Sequence, residues 1–542
     1  MLYNLPLKER VLGPIMAQVA RTEGKRTYLR IQDKSYTFEE AYLVSRAVAR
    51  GFRAQGLAKQ ESVALLLPNC AEFVFSWYAC CLIGAVMVPA NPAYTGYMLE
   101  YVLADSKAKG LVVTPFLLPA LATVSDKVRQ QLKWVAVVGG CKDIDPPAGP
   151  GAYLDFKDLQ VTAGPDPEES VTYEDIQCIM YTSGTTGPSK GVVMPNGHFF
   201  ASTCVFLRAV GLNRDDILFT PFPLFHGMAS RLGVLPALMV GAEIVVAERF
   251  SSSKFWQQVC ECQATFAHTL FTIPPILKGQ TTSPYDRAHR LRGMYNAHYD
   301  PEFENRFGVR LFEAYGLTET GLVIATEFPL RREGSCGHVV EDWEAEIMDN
   351  NDFPLPPGEV GEIVLRPKLP SIMMKGYLNQ PEATMEAFRN LWFHTGDFAK
   401  RDADGYFYFA DRKKERIRRR GENIAAQDVE TIILAHPDVI ECAALPHPAP
   451  GGEDDIRVVL VVEKGSNLTP EGLMDWLKRR MSFFMMPRYL EFVDKLPKTP
   501  TEKIQKVELV EQGLSPNVWD REAVGYKIGR DDRPTDKDKR SA

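Results

Sequence analysis

At 542 residues the chain exceeds what a single hydrophobic core usually supports, so two or more domains are expected. Hydrophobic residues make up 45% and charged residues 24%, an ordinary globular composition, and the net charge of −7 gives the whole surface no electrostatic reason to bind nucleic acid or anionic membrane. The ten cysteines are scattered without zinc-ligand spacing and read as reduced core residues, and neither end of the chain carries a secretory or organelle address, so a cytoplasmic protein is expected. A small-molecule enzyme fits these limits.

In chain order, Tyr36-Thr-Phe-Glu-Glu looks like a capped helix start, Ser62 to Leu67 like a strand, and Asn69 to Ile83 like a helix. Phe73 to Ala90 is apolar enough to suggest a membrane span. Gly84 and Pro89 interrupt it, however, so a buried helix running into a buried strand is expected and no stable membrane insertion. Strand and helix patterns keep alternating past Val113, Val135 to Val138, Ile217 to Phe219 and Ala242 to Ala247, the signature of a layered α/β architecture with largely parallel sheets. From about Gly334 short strands separated by Gly, Pro and Asp turns predict a β subdomain at about 334–410, with a hairpin turn at Asp402-Ala-Asp-Gly405. The basic run Asp411 to Arg420 reads as a linker or element edge rather than a nucleic-acid patch. Beyond it, helices at Ala425 to Ala435 and Glu471 to Met481 and strands at Ile456 to Val462 and Arg488 to Val493 predict a smaller α+β domain, and the charged tail 525–542 is expected to be disordered.

One stretch stands out chemically. Tyr181 to Gly191 holds three glycines, six hydroxyl side chains and a lysine between two apolar, strand-like segments. Glycines bring backbone N–H groups close to a ligand, hydroxyls add donors and the lysine adds charge, which suits a polyphosphate, although most such loops are surface turns. Other stretches are unremarkable singly. Pro223-Leu-Phe-His-Gly227 has a lone histidine; Ala314-Tyr-Gly-Leu-Thr-Glu-Thr320 has a flat ring, a hydroxyl and a carboxylate suited to Mg²⁺; His394-Thr-Gly-Asp397 has a carboxylate suited to ribose hydroxyls; Pro497-Lys-Thr-Pro-Thr-Glu-Lys-Ile504 has a lysine on a proline-rich loop.

Together, in this order, these motifs resemble the adenylate-forming superfamily of acyl- and aryl-CoA synthetases, non-ribosomal peptide adenylation domains and luciferases, over about 36–506. The resemblance implies an N-terminal AMP-binding domain at 1–412 and a mobile C-terminal domain at 413–524. It also implies two half-reactions, carboxylate plus ATP to acyl-AMP and pyrophosphate, then transfer to coenzyme A. Carried onto this sequence, Thr182, Ser183, Gly184, Thr185, Thr186, Gly187 and Lys190 would hold the β- and γ-phosphates; this is no Walker loop, since it lacks a Gly-Lys-Ser/Thr triplet. Tyr315 would stack on adenine, Thr318 would contact the α-phosphate, Glu319 would bind Mg²⁺, and Asp397 and Arg412 would take the ribose. Lys503 would be the adenylation lysine, with Glu502 where the family has glycine; Lys414 would be the hinge; Gly421, Glu422 and Asn423 would face the thiol, and the basic run would touch the nucleotide end of coenzyme A. His226 would line the acyl pocket and the thiol entrance. The resemblance leaves a homodimer open.

A Gly-Gly-Ala-Pro stretch forms pocket floor in much of the superfamily, and here Asn296-Ala-His-Tyr299 stands in its place. An amide, an imidazole and a phenol fill space and supply donors, so Asn296, His298 and Tyr299, with Phe225 and His226, predict a pocket for a short polar acid rather than a long acyl chain. Phe250-Ser-Ser-Ser-Lys-Phe-Trp256 and Pro487-Arg-Tyr-Leu-Glu491 resemble crotonobetaine/carnitine-CoA and bile-acid-type ligases, while the polar wall suits a branched 2-hydroxy acid such as 2-hydroxyisobutyrate. Loading of a carrier protein, luciferase-like oxidation and a non-catalytic adenylate-binding protein are the rivals.

Overall fold

The computed structural model describes residues 5–142, 145–182, 189–270, 273–295, 299–349, 351–412, 416–419, 422–450, 453–497, 504 and 506–528. Two large sheets organise the N-terminal part. The first has eight strands, in the spatial order Gly376–Tyr377, Lys190–Pro195, Ile176–Thr182, Val86–Ala90, Ser62–Leu66, Gly110–Val113, Trp134–Val137 and Tyr153–Asp155. The second has seven: Arg310–Phe312, Gly293–Tyr295, Phe266–His268, Ile217–Thr220, Glu243–Val246, Thr27–Ile31 and Lys34–Thr37. Most neighbours are parallel, and the strands are short apolar runs, as expected of sheets covered on both faces.

The alternation along Ser62–Leu66 shows that double cover directly. Val63 and Leu65 join the larger core, while Ala64 and Leu66 join a separate core on the opposite face. Two helices, Ala71–Ile83 and Asn196–Val210, belong to the larger core together with residues from both sheets and are buried on nearly every side. The run that suggested a membrane span is thus the helix Ala71–Ile83 feeding the strand Val86–Ala90, and among the described residues no helix is long and apolar enough to cross a membrane. The helix Phe38–Ala54 starts on a capping box: Thr37 Oγ1 accepts from the Glu40 N–H at 3.1 Å, and Glu40 accepts in return from the Thr37 N–H at 2.8 Å. All ten cysteines are free thiols.

A four-stranded antiparallel sheet follows, Trp343–Met348, Val360–Pro367, Phe393–Arg401 and Phe407–Arg412. Its last hairpin turns at Asp402, whose Oδ1 accepts from the Asp404 and Tyr406 N–H groups at 3.0 and 2.9 Å. Another hairpin, Arg416–Arg419 with Glu422–Ala425, leads into the helix Ala426–Leu434 and a sheet of Val439–Pro448, Asp454–Val462, Tyr489–Phe492 and Trp519–Asp520. The basic run is therefore partly a strand, and Arg419 is 4% exposed: it donates to the Met486 carbonyl and pairs with Asp455 at 3.2 Å. Chain order continues into the C-terminal core as far as Tyr526 and Ile528, so packing extends past the expected start of the tail; residues 529–542 lie outside the described residues.

The two parts touch. Met98, with Ala93, Tyr94 and Tyr97 beside it, packs into the C-terminal core, and Ser482 Oγ donates to the Ala93 carbonyl. Gly96 sits at φ +53°, and a Cβ there would come within 3.1 Å of the Arg480 carbonyl oxygen, so glycine serves both the turn and the close approach.

Candidate active site

The glycine- and hydroxyl-rich stretch closes an antiparallel hairpin. Its strands, Ile176–Thr182 and Lys190–Pro195, pair Tyr181 with Gly191 and Thr182 with Lys190, which fixes both ends of the loop on the first sheet. Ser183, Gly184, Thr185, Thr186 and Gly187 lie outside the described residues. Tyr181 is anchored away from the loop, its hydroxyl donating to Asp105 at 2.8 Å. Lys190 places its ammonium 4.6 Å from the centre of the Tyr377 ring, a cation–π contact. The Tyr377 hydroxyl donates to Glu319 Oε1 at 3.1 Å. One chain of contacts therefore runs from the loop's lysine to the carboxylate expected to meet Mg²⁺.

A second pair joins two more of the expected nucleotide residues. The Tyr315 hydroxyl donates to Asp397 Oδ2 at 2.8 Å, and Asp397 stands opposite Arg412 in the register of their two strands. Asp397 is 2% and Tyr315 7% exposed, so both are set by the fold rather than by solvent. Glu319 is likewise buried, and its backbone carbonyl accepts from the Met374 N–H at 2.8 Å, tying the segment to the strand that carries Tyr377.

His226 is exposed, with its Nδ1 accepting from the Met228 N–H at 3.3 Å. The surrounding protein, then Arg231 and Arg418, hold its pKa down at about 4, so the ring is neutral at pH 7. Arg418 belongs to the hairpin that opens the C-terminal part, so that hairpin approaches the histidine. Phe225 is half-buried against the main core. Tyr299 keeps other company: the Arg331 guanidinium lies 4.4 Å from its ring centre, Glu333 bonds its hydroxyl and raises its pKa, and it borders a small cleft with Glu313, Arg332 and Ser335.

Asn296 and His298, the hinge Lys414, Gly421, and Glu502 with Lys503 lie outside the described residues; Arg412, Glu422 and Asn423 are described in backbone only. Nothing in the sequence singles out Tyr377, Arg231, His198, His268 or Asp428. Asp428, 2% exposed on the C-terminal helix Ala426–Leu434, accepts from Ser189 Oγ at 2.8 Å and from the Ser189 N–H at 3.3 Å, so the phosphate-type loop is tied to the second part of the chain. Burial raises the Asp428 pKa to about 6, against the two Ser189 bonds that lower it.

Mg²⁺ fits this donor set. No described group of three or more His, Cys, Asp or Glu side chains could hold a metal alone, whereas one buried carboxylate, Glu319, stands near the loop's lysine. Mg²⁺ is commonly held by one or two carboxylates with the rest of its shell from substrate phosphates and water.

The fold and these pairs define an adenylate-forming enzyme. Residues 16–378 match the model of the AMP-binding enzyme family and residues 428–503 that of the AMP-binding enzyme C-terminal domain, and the chain belongs to this family. A crotonobetaine/carnitine-CoA ligase from Salmonella paratyphi A is 33% identical over 468 residues, covering 84% of this chain and 90% of its own. Among solved structures, a double mutant of o-succinylbenzoate CoA synthetase from Bacillus subtilis, bound with a product analogue, superposes with a TM-score of 0.77 at 24% identity, covering 92% of this chain and 98% of its own. The same enzyme in complex with AMP gives 0.61 at 25% identity, covering 91% and 97%. The enzyme is an AMP-forming acid–thiol ligase that uses ATP and coenzyme A.

Proposed function

We propose that the cleft performs both half-reactions on a short polar carboxylic acid, a branched 2-hydroxy acid being the substrate that the pocket suits best. The observation that carries this is the linked set Lys190–Tyr377–Glu319 with Tyr315–Asp397, to which Arg231, at the Leu317 and Thr318 carbonyls, joins His226. In the first step a carboxylate oxygen attacks the α-phosphorus of ATP and the bond to the β-phosphate breaks, releasing pyrophosphate. Lys190 and the loop hold the departing phosphates, Tyr315 and Asp397 hold adenine and ribose, and Thr318 bonds the α-phosphate. Glu319, oriented by Tyr377, would hold Mg²⁺, which supplies charge stabilisation to the phosphates. Lys503 would bridge the attacking carboxylate and the α-phosphate, where fixed positive charge is worth most.

In the second step a thiolate attacks the acyl carbon and AMP leaves. The approach of Arg418 to His226 supports a role for the hairpin Arg416–Arg419 with Glu422–Ala425 at the thiol entrance, with coenzyme A arriving along the C-terminal part. Swinging of the C-terminal part about Lys414 would exchange Lys503 for this hairpin between steps, as the division of the chain at about 412 implies. The similarity to crotonobetaine/carnitine-CoA ligases keeps a betaine acid as the second reading.

The test is acid-dependent pyrophosphate release, then coenzyme A thioester formation, across short hydroxy, branched and betaine acids against fatty, aryl and bile acids. The highest kcat/KM is expected within the short polar group; a preference for long-chain acids overturns the reading.

A further inference from the structure

Behind His226 four elements converge that are far apart in sequence. The helix Asn196–Val210 brings His198, a π-turn at Ser230–Val234 brings Arg231, and the ends of two neighbouring strands, Phe266–His268 and Gly293–Tyr295, bring His268 and Tyr295. Their exposures are 0%, 7%, 0% and 2%. Single π-turns are rare and often sit at functional sites. Gly227 lies against the guanidinium, a Cβ there being within ordinary contact of Arg231 Nη2 at 3.5 Å. The charge of Arg231 reaches both His226 and Tyr295.

His198 bonds the Thr318 and Glu319 backbone, but the other three groups are short of partners. Arg231 Nη1 lies 3.4 Å from both His198 ring nitrogens and from the Thr318 carbonyl, and Nη2 lies 3.3 Å from the Leu317 carbonyl; these are long contacts. Among the described residues Arg231 Nε and Tyr295 Oη have no hydrogen-bond partner, and the His268 ring has at most the Leu232 backbone. Among the described residues no carboxylate reaches Arg231 within ion-pair distance, Glu319 acting on it only at longer range. A buried cation and buried donors left in this state cost free energy that a bound acceptor recovers. Helix packing alone asks for none of them.

We propose that Arg231 is the specificity-determining residue of the acyl site: with Tyr295 and His268 it selects a short acid that carries a second acceptor group, a hydroxyl or a carboxylate, close to the reacting carboxyl. This deepens the ligase reading above and rests on it. The same buried positive charge opposes a quaternary ammonium group. An aromatic cage cannot draw on Tyr299 either, whose ring already faces the Arg331 guanidinium. The substrate would thus differ in charge from those named for the Salmonella relative.

The test uses the full-length protein and ATP–pyrophosphate exchange on matched acids: 2-hydroxyisobutyrate against isobutyrate, methylmalonate against butyrate, and crotonobetaine. In at least one pair the acceptor-bearing acid should exceed its plain partner by about 30-fold or more in kcat/KM, the size of a charge-assisted hydrogen bond. The pair that shows it tells hydroxyl from carboxylate. Arg231→Met should abolish that preference by lowering the acceptor-bearing acid alone, mainly through KM, and Arg231→Lys should restore part of it. Should Arg231→Met fail to fold, the wild-type pairs decide by themselves. A crotonobetaine optimum, no preference within either pair, or equal loss on both members in the variants overturns this inference while leaving the ligase reading intact. Exchange with no acid at all overturns both.

Discussion

On the side proposed for the nucleotide, the side chains are tied to one another: Tyr315 to Asp397, Tyr377 to Glu319, Lys190 to the Tyr377 ring, Ser189 to Asp428. On the side proposed for the acyl group, Arg231 Nε and Tyr295 Oη have no partner among the described residues, and His268 has at most the Leu232 backbone. The difference teaches what each side is for. A nucleotide is the same in every turnover, so its site can be held ready by internal pairs and bind without reorganisation. An acid site that must distinguish close analogues gains most from buried groups that only the right substrate satisfies.

The largest expected effect breaks the two half-reactions apart. Lys503→Ala should lower acid-dependent pyrophosphate release by roughly 10²–10³-fold, comparable to removing one fixed charge-stabilising donor, while a supplied acyl-AMP is still converted to thioester. Equal loss of both half-reactions in stopped assays would contradict the exchange of Lys503 for the hairpin. A smaller loss, about tenfold in adenylation kcat/KM, is expected for Tyr377→Phe, which keeps the ring beneath Lys190 but removes the hydrogen bond to Glu319. Its effect should shrink as Mg²⁺ is raised, and an effect that ignores Mg²⁺ would separate Tyr377 from the metal.

Asp428 sharpens the comparison through pH. Its docked pKa is raised from 3.8 to about 6, so its contribution to docking is full below the ordinary value and is lost as pH rises through about 6. The two parts of the chain should therefore dock more tightly at pH 5 than at pH 8, read by fluorescence transfer between dyes on the two parts. Asp428→Asn should flatten that dependence; an unchanged slope would mean that another group titrates. The smallest effect lies far from the cleft: Thr37→Ala breaks the capping box of Phe38–Ala54 and should cost about 1 kcal/mol of stability in denaturant unfolding, with no change in substrate preference.

How much of this was legible in the sequence follows the same division. Phosphate recognition needs several backbone donors, hydroxyls and a lysine within one loop, so Tyr181 to Gly191 announces itself as a contiguous pattern. The double-sheet architecture was legible too, because buried parallel strands such as Ser62–Leu66 are short, wholly apolar runs. The acyl side was not. Arg231 sits in Ala229-Ser-Arg-Leu-Gly, where a lone arginine looks like a solvated edge, and only the π-turn carries it inward. His198, His268 and Tyr295 meet it through tertiary packing of separate elements, which no spacing in the chain encodes. The basic run hides a similar partnership: Arg419 belongs to a strand and bonds Asp455 and the Met486 carbonyl across the C-terminal fold.

The most direct measurement of the central claim is product stoichiometry. Full-length protein incubated with ATP, Mg²⁺, coenzyme A and 2-hydroxyisobutyrate should yield AMP, pyrophosphate and acyl-CoA in equal amounts, with pyrophosphate still released in a first turnover when coenzyme A is omitted. Release of ADP and orthophosphate, or no acid-dependent pyrophosphate with any short polar acid, would contradict it.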